Sequence, residues 1–375
     1  MKKMASFDKH TYLKNQPPFQ VNGYGSFITC MGSEVSQEGY PMIISNNPEV
    51  VTTDSLADNG FFLNRNTIKG RIRYYSWHSN GLHEAINHTI TVHNPHAYKS
   101  ICVSGCLSIS HQYDGGICNG SDFYAWRDYF TGMATPFQFI VPAGGYQPLF
   151  NTEGINYSKA FGAIIEITIS YSSNILDEAV GIIWDVAYQN HSDQGVTFAT
   201  PVGNMARGKC DSCIIDMRAK IDVVDSTKVH CLLFGAPNDL GQIYNSFNDG
   251  DLITFIDEAP SSPVDLRAKG KDGKCKNAGN FGALMLVGIA LTNRTGTEGS
   301  FRISLGSHAG WSFPLVKSSS GSIVGYNESW IDSFHHVDVI DIGKIANDKT
   351  EFIDFFTVVP AMASAVYAVG IRRVE

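Results

Sequence analysis

Residues 86–110, INHTITVHNPHAYKSICVSGCLSIS, limit the possible folds more than any other stretch of the chain. Ile86, Ile90 and Val92 share one parity, with Thr89, Thr91 and His93 on the other. Beyond Asn94-Pro95, Ile101, Val103, Leu107 and Ile109 alternate with Cys102, Ser104, Cys106, Ser108 and Ser110. A period of two puts alternate side chains on opposite faces of a strand, so each segment buries one face and presents the other. As sequence neighbours the two segments predict an antiparallel hairpin with Asn94 at its tip.

The device recurs. In residues 213–224, Ile215, Met217, Ala219, Ile221 and Val223 alternate with Asp216, Arg218, Lys220 and Asp222. A turn at Asp225-Ser226-Thr227 leads to Val229, Cys231 and Leu233. Residues 283–306 predict a further hairpin, tipped at Asn293 and returning through Phe301, Ile303 and Leu305. HTITVHNPHAYKSICVSGCLSI thus echoes VGIALTNRTGTEGSFRISLG, with Asn94 opposite Asn293. PFQFIVPAGG echoes FFTVVPAMAS, with Pro142 opposite Pro360. Two copies of such a pattern mean two related sandwiches rather than a solenoid. The expected fold is all-β: two tandem antiparallel β-sandwich domains, jelly-roll or immunoglobulin-like, over residues 41–190 and 191–375. Residues 1–40, with Gln16-Pro17-Pro18, read as an extended N-terminal arm.

Composition narrows the function classes. Charged residues make up 17% of the 375 and hydrophobic ones 43%, the opposite of a disordered chain. A net charge of −8 argues against nucleic-acid binding, which needs a concentrated basic surface. The start MKKMASFDKHTYLKNQ is basic but lacks the apolar core, about 7–15 residues, of a secretory signal. No run approaches the roughly 18 apolar residues of a membrane span.

Three short motifs resemble a family of poorly characterised proteins of Gram-positive spore-forming bacteria: Asn47-Pro48-Glu49, the Arg/Tyr-rich strand at 70–75 (GRIRYY), and His93-Asn94-Pro95. Arg207-Gly208, Asn280-Phe281-Gly282 and Val359-Pro360-Ala361 extend the likeness across most of residues 40–375. Members often carry a copper-amine-oxidase-type N-terminal domain, absent from this sequence. The resemblance supplies no catalytic residues. By analogy with the spore-surface and parasporal-crystal proteins of such bacteria, it implies a chain made in the cytoplasm of the mother cell without a signal peptide, and placed on the spore surface or in a parasporal inclusion.

Several groups of polar and aromatic residues are candidates for chemistry. Of eight cysteines, Cys102 and Cys106 lie on one strand face, about 13 Å apart at ~3.3 Å per residue, too far to bridge each other. With Cys118, Cys210 and Cys213 they are candidates for intermolecular cross-links, against a reading as inert thiols. Cys210-Asp211-Ser212-Cys213 lacks the second close pair of a structural zinc site. Six of twelve histidines fall at 78, 83, 88, 93, 96 and 111, a candidate metal cluster opposed by strand parity, which turns His88 and His93 to opposite faces. The acidic residues at 248–251 and 257–258 miss EF-hand spacing. There is no G-x-S-x-G elbow, P-loop or dinucleotide fingerprint. Tyr113, Phe123, Tyr124, Trp126, Tyr129 and Phe130 form an aromatic group suited to sugar stacking, to an interface or to the core.

These readings converge on a non-enzymatic, self-assembling structural protein with no cofactor and no membrane span. Its expected partners are further copies of itself and other spore-surface proteins. The alternatives are a carbohydrate-binding protein using the loop around Trp126 and a metal-binding protein or enzyme using the histidines.

Overall fold

The structure is a computed structural model. It describes residues 26–30, 34–45, 50–52, 61–110, 121–189, 208–210, 212–234, 254–257, 274–276, 282–307, 316–318, 335–358 and 367–374. The chain is all-β. Its strands, in order, are β1 (Ser26–Cys30), β2 (Glu34–Glu38), β3 (Met42–Ser45), β4 (Val50–Val51), β5 (Phe61–Asn80), β6 (Ile86–His93), β7 (Ile101–Ile109), β8 (Thr135–Val141), β9 (Tyr146–Ile155), β10 (Ala160–Tyr171), β11 (Asn174–Glu178) and β12 (Val180–Gln189). There follow β13 (Gly208–Cys210), β14 (Ile214–Val223), β15 (Lys228–Phe234), β16 (Thr254–Asp257), β17 (Lys274–Lys276), β18 (Leu284–Asn293), β19 (Gly299–Ser307), β20 (Val316–Ser318), β21 (His335–Ile345), β22 (Thr350–Val358) and β23 (Tyr367–Arg373). One helix, α1 (Ser121–Thr131), lies between β7 and β8.

The chain divides into two compact units. One comprises Tyr40–Asp211 with Phe255–Lys276, and is called the central unit below. The other comprises Met1–Gly39, Ser212–Thr254 and Asn277–Glu375, and is called the split unit. Part of the stretch read as an N-terminal arm is therefore sheet: β1 pairs with β15 and β2 with β14. Residues 1–25 lie outside the described residues.

In the central unit β5 is twenty residues long and belongs to two sheets. Residues 61–69 pair with β12 and residues 70–79 with β10. The change of sheet falls at Gly70, whose φ of 59° is the left-handed conformation that costs glycine least. One sheet then runs β5(61–69)-β12-β6-β9 and the other β5(70–79)-β10-β7-β8. With the halves of β5 counted separately, these eight strands follow the jelly-roll path. Of the two sandwich types expected, the pairings select this one. The core is built from inward rows such as Ile72 and Tyr74, Ile90 and Val92, Val103 and Leu107, and Ile165, Ile167 and Ile169.

The split unit repeats the path with one strand fewer. Its sheets run β15-β23-β19-β21 and β14-β18-β22, with β1, β2 and β20 added at edges. The first four strands correspond to β5(70–79), β10, β7 and β8. In the second sheet β14 and β18 pair directly, in parallel, from Ile214↔Leu284 to Val223↔Asn293. A jelly roll holds the equivalents of these strands apart with one antiparallel strand, β12 in the central unit. Omitting it leaves two parallel neighbours. Each unit also sets a parallel strand beside the same position, β3 on β5 and β1 on β15.

The expected hairpins are corrected here. β6 pairs with β12 and β9, whereas β7 pairs with β10 and β8. β14 and β15 likewise lie in different sheets, as do β18 and β19. All three connections are arches that carry the chain from one sheet across to the other. Alternation reports which face of a strand is buried, and it is the same for a hairpin and an arch. The echo at the arch corners is structural. Asn94 is fully buried; its Nδ2 donates to the carbonyls of Lys99 and Val141, at 2.8 and 3.0 Å, and its N–H to Gly145. Asn293, equally buried, donates from Nδ2 to Thr297 and Ile345, both at 2.8 Å, and from its N–H to Lys349. The second echo is misaligned: the strand FFTVV is β22, which pairs with β18 and so matches β9, while β21 is the counterpart of β8. Pro360 lies outside the described residues.

Candidate functional sites

Two histidines of the expected metal cluster do meet, on a carboxylate. Asp185 of β12 is fully buried, with His88 Nε2 at 2.7 Å from Oδ1 and the Tyr74 hydroxyl donating to Oδ2 at 2.7 Å. His78 Nε2 lies 3.9 Å from Oδ2 and 3.3 Å from Ser45 Oγ. Burial alone would raise the Asp185 pKa. His88, His78 and the Tyr74 hydroxyl outweigh it and hold the carboxyl below its ordinary value. Tyr74 is pushed well up, by burial and then by Asp185. Ser45, His78 and Asp185 are the residue types of a nucleophilic triad, yet all three have no solvent exposure. They tie β3, β5, β6 and β12 together where the inward row containing Tyr74 gives way to Phe161, which His78 and His88 both face.

The remaining histidines are spread apart. His83 stacks on Tyr157 at 4.7 Å, His93 on Tyr146 at 4.2 Å, and His96 packs against Tyr171 at 5.3 Å. Among the described residues no three His, Cys, Asp or Glu side chains could share a metal ion. His111 and the acidic residues 248–251 lie outside the described residues.

The aromatic group is only partly a loop. Ala125, Trp126, Tyr129 and Phe130 recur at helical spacing, and α1 lays them over the outer face of β10 and β7. Trp126 has no solvent exposure; its ring meets Tyr75 edge-on at 5.4 Å and lies 5.9 Å from the Arg73 guanidinium. It is a buried residue, and its ring offers no face on which the expected sugar could stack. Under the helix, Arg73 Nε donates to Glu166 at 2.6 Å, and Arg73 Nη2 to the Tyr129 hydroxyl at 3.1 Å. Tyr129 and Tyr40 both donate to Glu166, and Arg71 covers the Tyr40 ring at 4.1 Å. Burial, opposed by Arg73 and reinforced by Glu166, pushes Tyr129 up to about 12. Both oxygens of the Glu166 carboxylate are thus engaged from within the unit. Tyr124 is half-buried beneath Arg127. Phe123 lies in the first turn of α1, and Tyr113 lies outside the described residues.

The cross-link candidates also sit deeper than parity suggested. Cys213 is fully buried and Cys102 is 7% exposed beneath Gln138. Cys106 is half-buried, its thiol pushed up by burial and then by Glu166. Cys102 and Cys106 are free thiols. Cys210 is placed by its backbone in β13, and Cys118 lies outside the described residues.

What the outer surface does offer is an edge. Among the described residues β8, TPFQFIV, ends its sheet and pairs with β7 alone, in unbroken register from Leu107↔Thr135 to Ile101↔Val141. Phe137 and Phe139 turn inward against the core, while Gln138 and Ile140 face out, Ile140 at 63% exposure. None of its seven residues is charged. The counterpart edge in the split unit, β21, carries Asp338, Asp341 and Lys344 and two register shifts against β19. Charge, bulges and proline are the usual devices that stop edge strands pairing with other molecules; β21 has charge and bulges, whereas β8 has only Pro136, at its second residue. A second exposed apolar feature is the tip of the β10–β11 hairpin, Ile175 and Leu176, at 68% and 87% exposure.

No family model and no curated protein matches the chain. Among solved structures it is similar to the PBSX exported protein XepA at 9% identity, over 86% of this chain and 87% of that one, with a TM-score of 0.20. It is similar to tripeptidyl peptidase 2 at 6% identity and TM-score 0.18, over 92% of this chain but 24% of that one. The insecticidal delta-endotoxin Cry8Ea1 of Bacillus thuringiensis is 9% identical over 93% and 61%, with a TM-score of 0.19. Scores of this size leave the fold to be read from the strand pairings themselves.

Proposed function

We propose that the chain is a non-enzymatic structural protein that assembles with copies of itself into an array, in the spore-associated setting its resemblance implies. The observation that carries this reading is the uncharged, regular edge of β8. Pairing β8 with β8 of a second copy extends one sheet across two molecules, a two-fold contact that closes on itself as a dimer. An array needs a second contact, and the apolar tip at Ile175 and Leu176 supplies one. A low charge content supports close approach, since repulsion between like-charged copies is what keeps most proteins dispersed. The chemistry-bearing clusters support a structural role in another way: Asp185 with its histidines, and Arg73 with Glu166, are spent inside the central unit.

Light scattering over a range of concentrations tests this. The native chain should form particles well above monomer mass. The double variant Gln138→Lys, Ile140→Lys, which places two charges on the solvent side of β8, should stay at smaller mass with an unchanged circular dichroism spectrum. A native chain that remains monomeric when concentrated, under oxidising and reducing conditions alike, overturns the proposal.

A further inference from the structure

The outer face of the β14-β18-β22 sheet in the split unit carries a small trough. Register sets Lys220, Ala290 and Phe352 side by side on the three strands, and Arg218, Gly288 and Asp354 one row away. At the trough the central strand contributes the small residues Gly288 and Ala290, while longer side chains rise from its two neighbours. Strands lie about 4.8 Å apart, so Lys220 and Phe352 stand as walls with Cα atoms about 10 Å apart over a floor of Ala290. One end is closed by Arg218, whose Nη1 donates to Asp354 at 2.6 Å across Gly288. A Cβ at position 288 would lie 2.2 Å from Arg218 Nη1 and 2.7 Å from Asp354 Oδ1, so the bridge requires glycine there. In the next row beyond Ala290, the hydroxyls of Thr292 and Thr350 lie 2.9 Å apart. The enclosed space is about 210 Å³ and open above.

We infer that this trough is a carbohydrate-binding site that takes one pyranose ring of a glycan. Phe352 is 80% exposed, a flat apolar ring on the same sheet face as Lys220 and Asp354. That pairing suits a sugar, which has an apolar ring face and a rim of hydroxyls. The Lys220 ammonium is placed to donate to ring hydroxyls and the Asp354 carboxylate to accept from them. A peptide strand is disfavoured because β18 is central: its backbone groups are committed to β14 and β22 and none is left for an added strand. The volume is below the several hundred cubic ångströms of pockets that enclose a whole drug-sized ligand, which fits a single ring of a longer chain lying across an open face. This site is unrelated to the Trp126 group and independent of assembly through β8.

The test is binding of the purified full-length chain to a printed array of hexopyranose oligosaccharides, neutral and acidic, followed by titration with the best binder. Phe352→Ala should weaken that binding at least tenfold, and Ala290→Leu, which fills the floor, should do the same while leaving Phe352 in place. Both variants should scatter light as the native chain does, which separates a failure of this site from a failure of self-assembly. Absence of binding to any glycan on the array, or binding unchanged by both substitutions, overturns the inference.

Discussion

The two units follow one path with different means of holding it. In the central unit β12 separates the strands corresponding to β14 and β18, and α1 roofs one sheet. With both faces of β5 covered over residues 72–80, Arg73, Tyr75, His78 and Asn80 are all buried, and polar groups must find partners inside the unit. In the split unit β14 and β18 meet directly and the outer face of their sheet stays open. There the same residue types, Arg218 with Asp354, form a half-exposed pair and frame a trough. Cover turns an ion pair into internal structure, and its absence leaves the pair available to a ligand.

The largest expected effect sets these two pairs against each other. Arg73→Met leaves Glu166 buried without its cation and should cost about 3–5 kcal/mol in urea unfolding. Arg218→Met removes one side of a pair about 40% exposed and should cost about 1 kcal/mol or less. Equal losses would break the contrast between the units.

The arch asparagines test what the units share. Asn94→Ala and Asn293→Ala each strip buried carbonyls of their donors and should each cost about 2–3 kcal/mol. A large loss at one and none at the other would show that the two corners are not equivalent.

A smaller effect concerns pH. Asp185 has a folded pKa below its ordinary 3.8, so its stabilising contribution is complete above that value and is lost as pH falls through the folded pKa. Acid unfolding monitored below pH 4 should therefore lose part of its steepness in Asp185→Asn. Unchanged acid sensitivity would mean that the cluster does not govern the central unit.

Least in energy, but easily read, is thiol labelling. Cys102 and Cys213 should resist alkylation at neutral pH until the chain unfolds, and Cys106, with its raised pKa, should react slowly. Fast labelling of Cys213 would contradict its burial in the split unit.

Much of this was legible in the sequence, within limits that have physical causes. Alternation correctly sorted the inward row Met217, Ala219, Ile221, Val223 from Arg218, Lys220 and Asp222, because burial acts on each strand's faces separately. It could not say that 86–110 is an arch, since strand partners are chosen across the core by residues far away in the chain. Asn94 and Asn293 marked equivalent corners because a short polar amide serves the same carbonyl geometry in both. The helix was missed: its stripe is four residues wide and sits among aromatics that read equally well as a loop. Cys102 faces outward as parity requires, yet the side chain of Gln138 on the next strand covers it. The trough was hidden for a related reason, since Lys220, Ala290 and Phe352 become neighbours only through register.

The central claim, that β8 is an edge left open for a second copy while β21 is guarded, is tested most directly by amide hydrogen exchange at low and high protein concentration. Alternate amides of β8 face away from β7. These should become protected as concentration rises, while β21 exchanges at the same rate throughout. Exchange at β8 that is independent of concentration would contradict it.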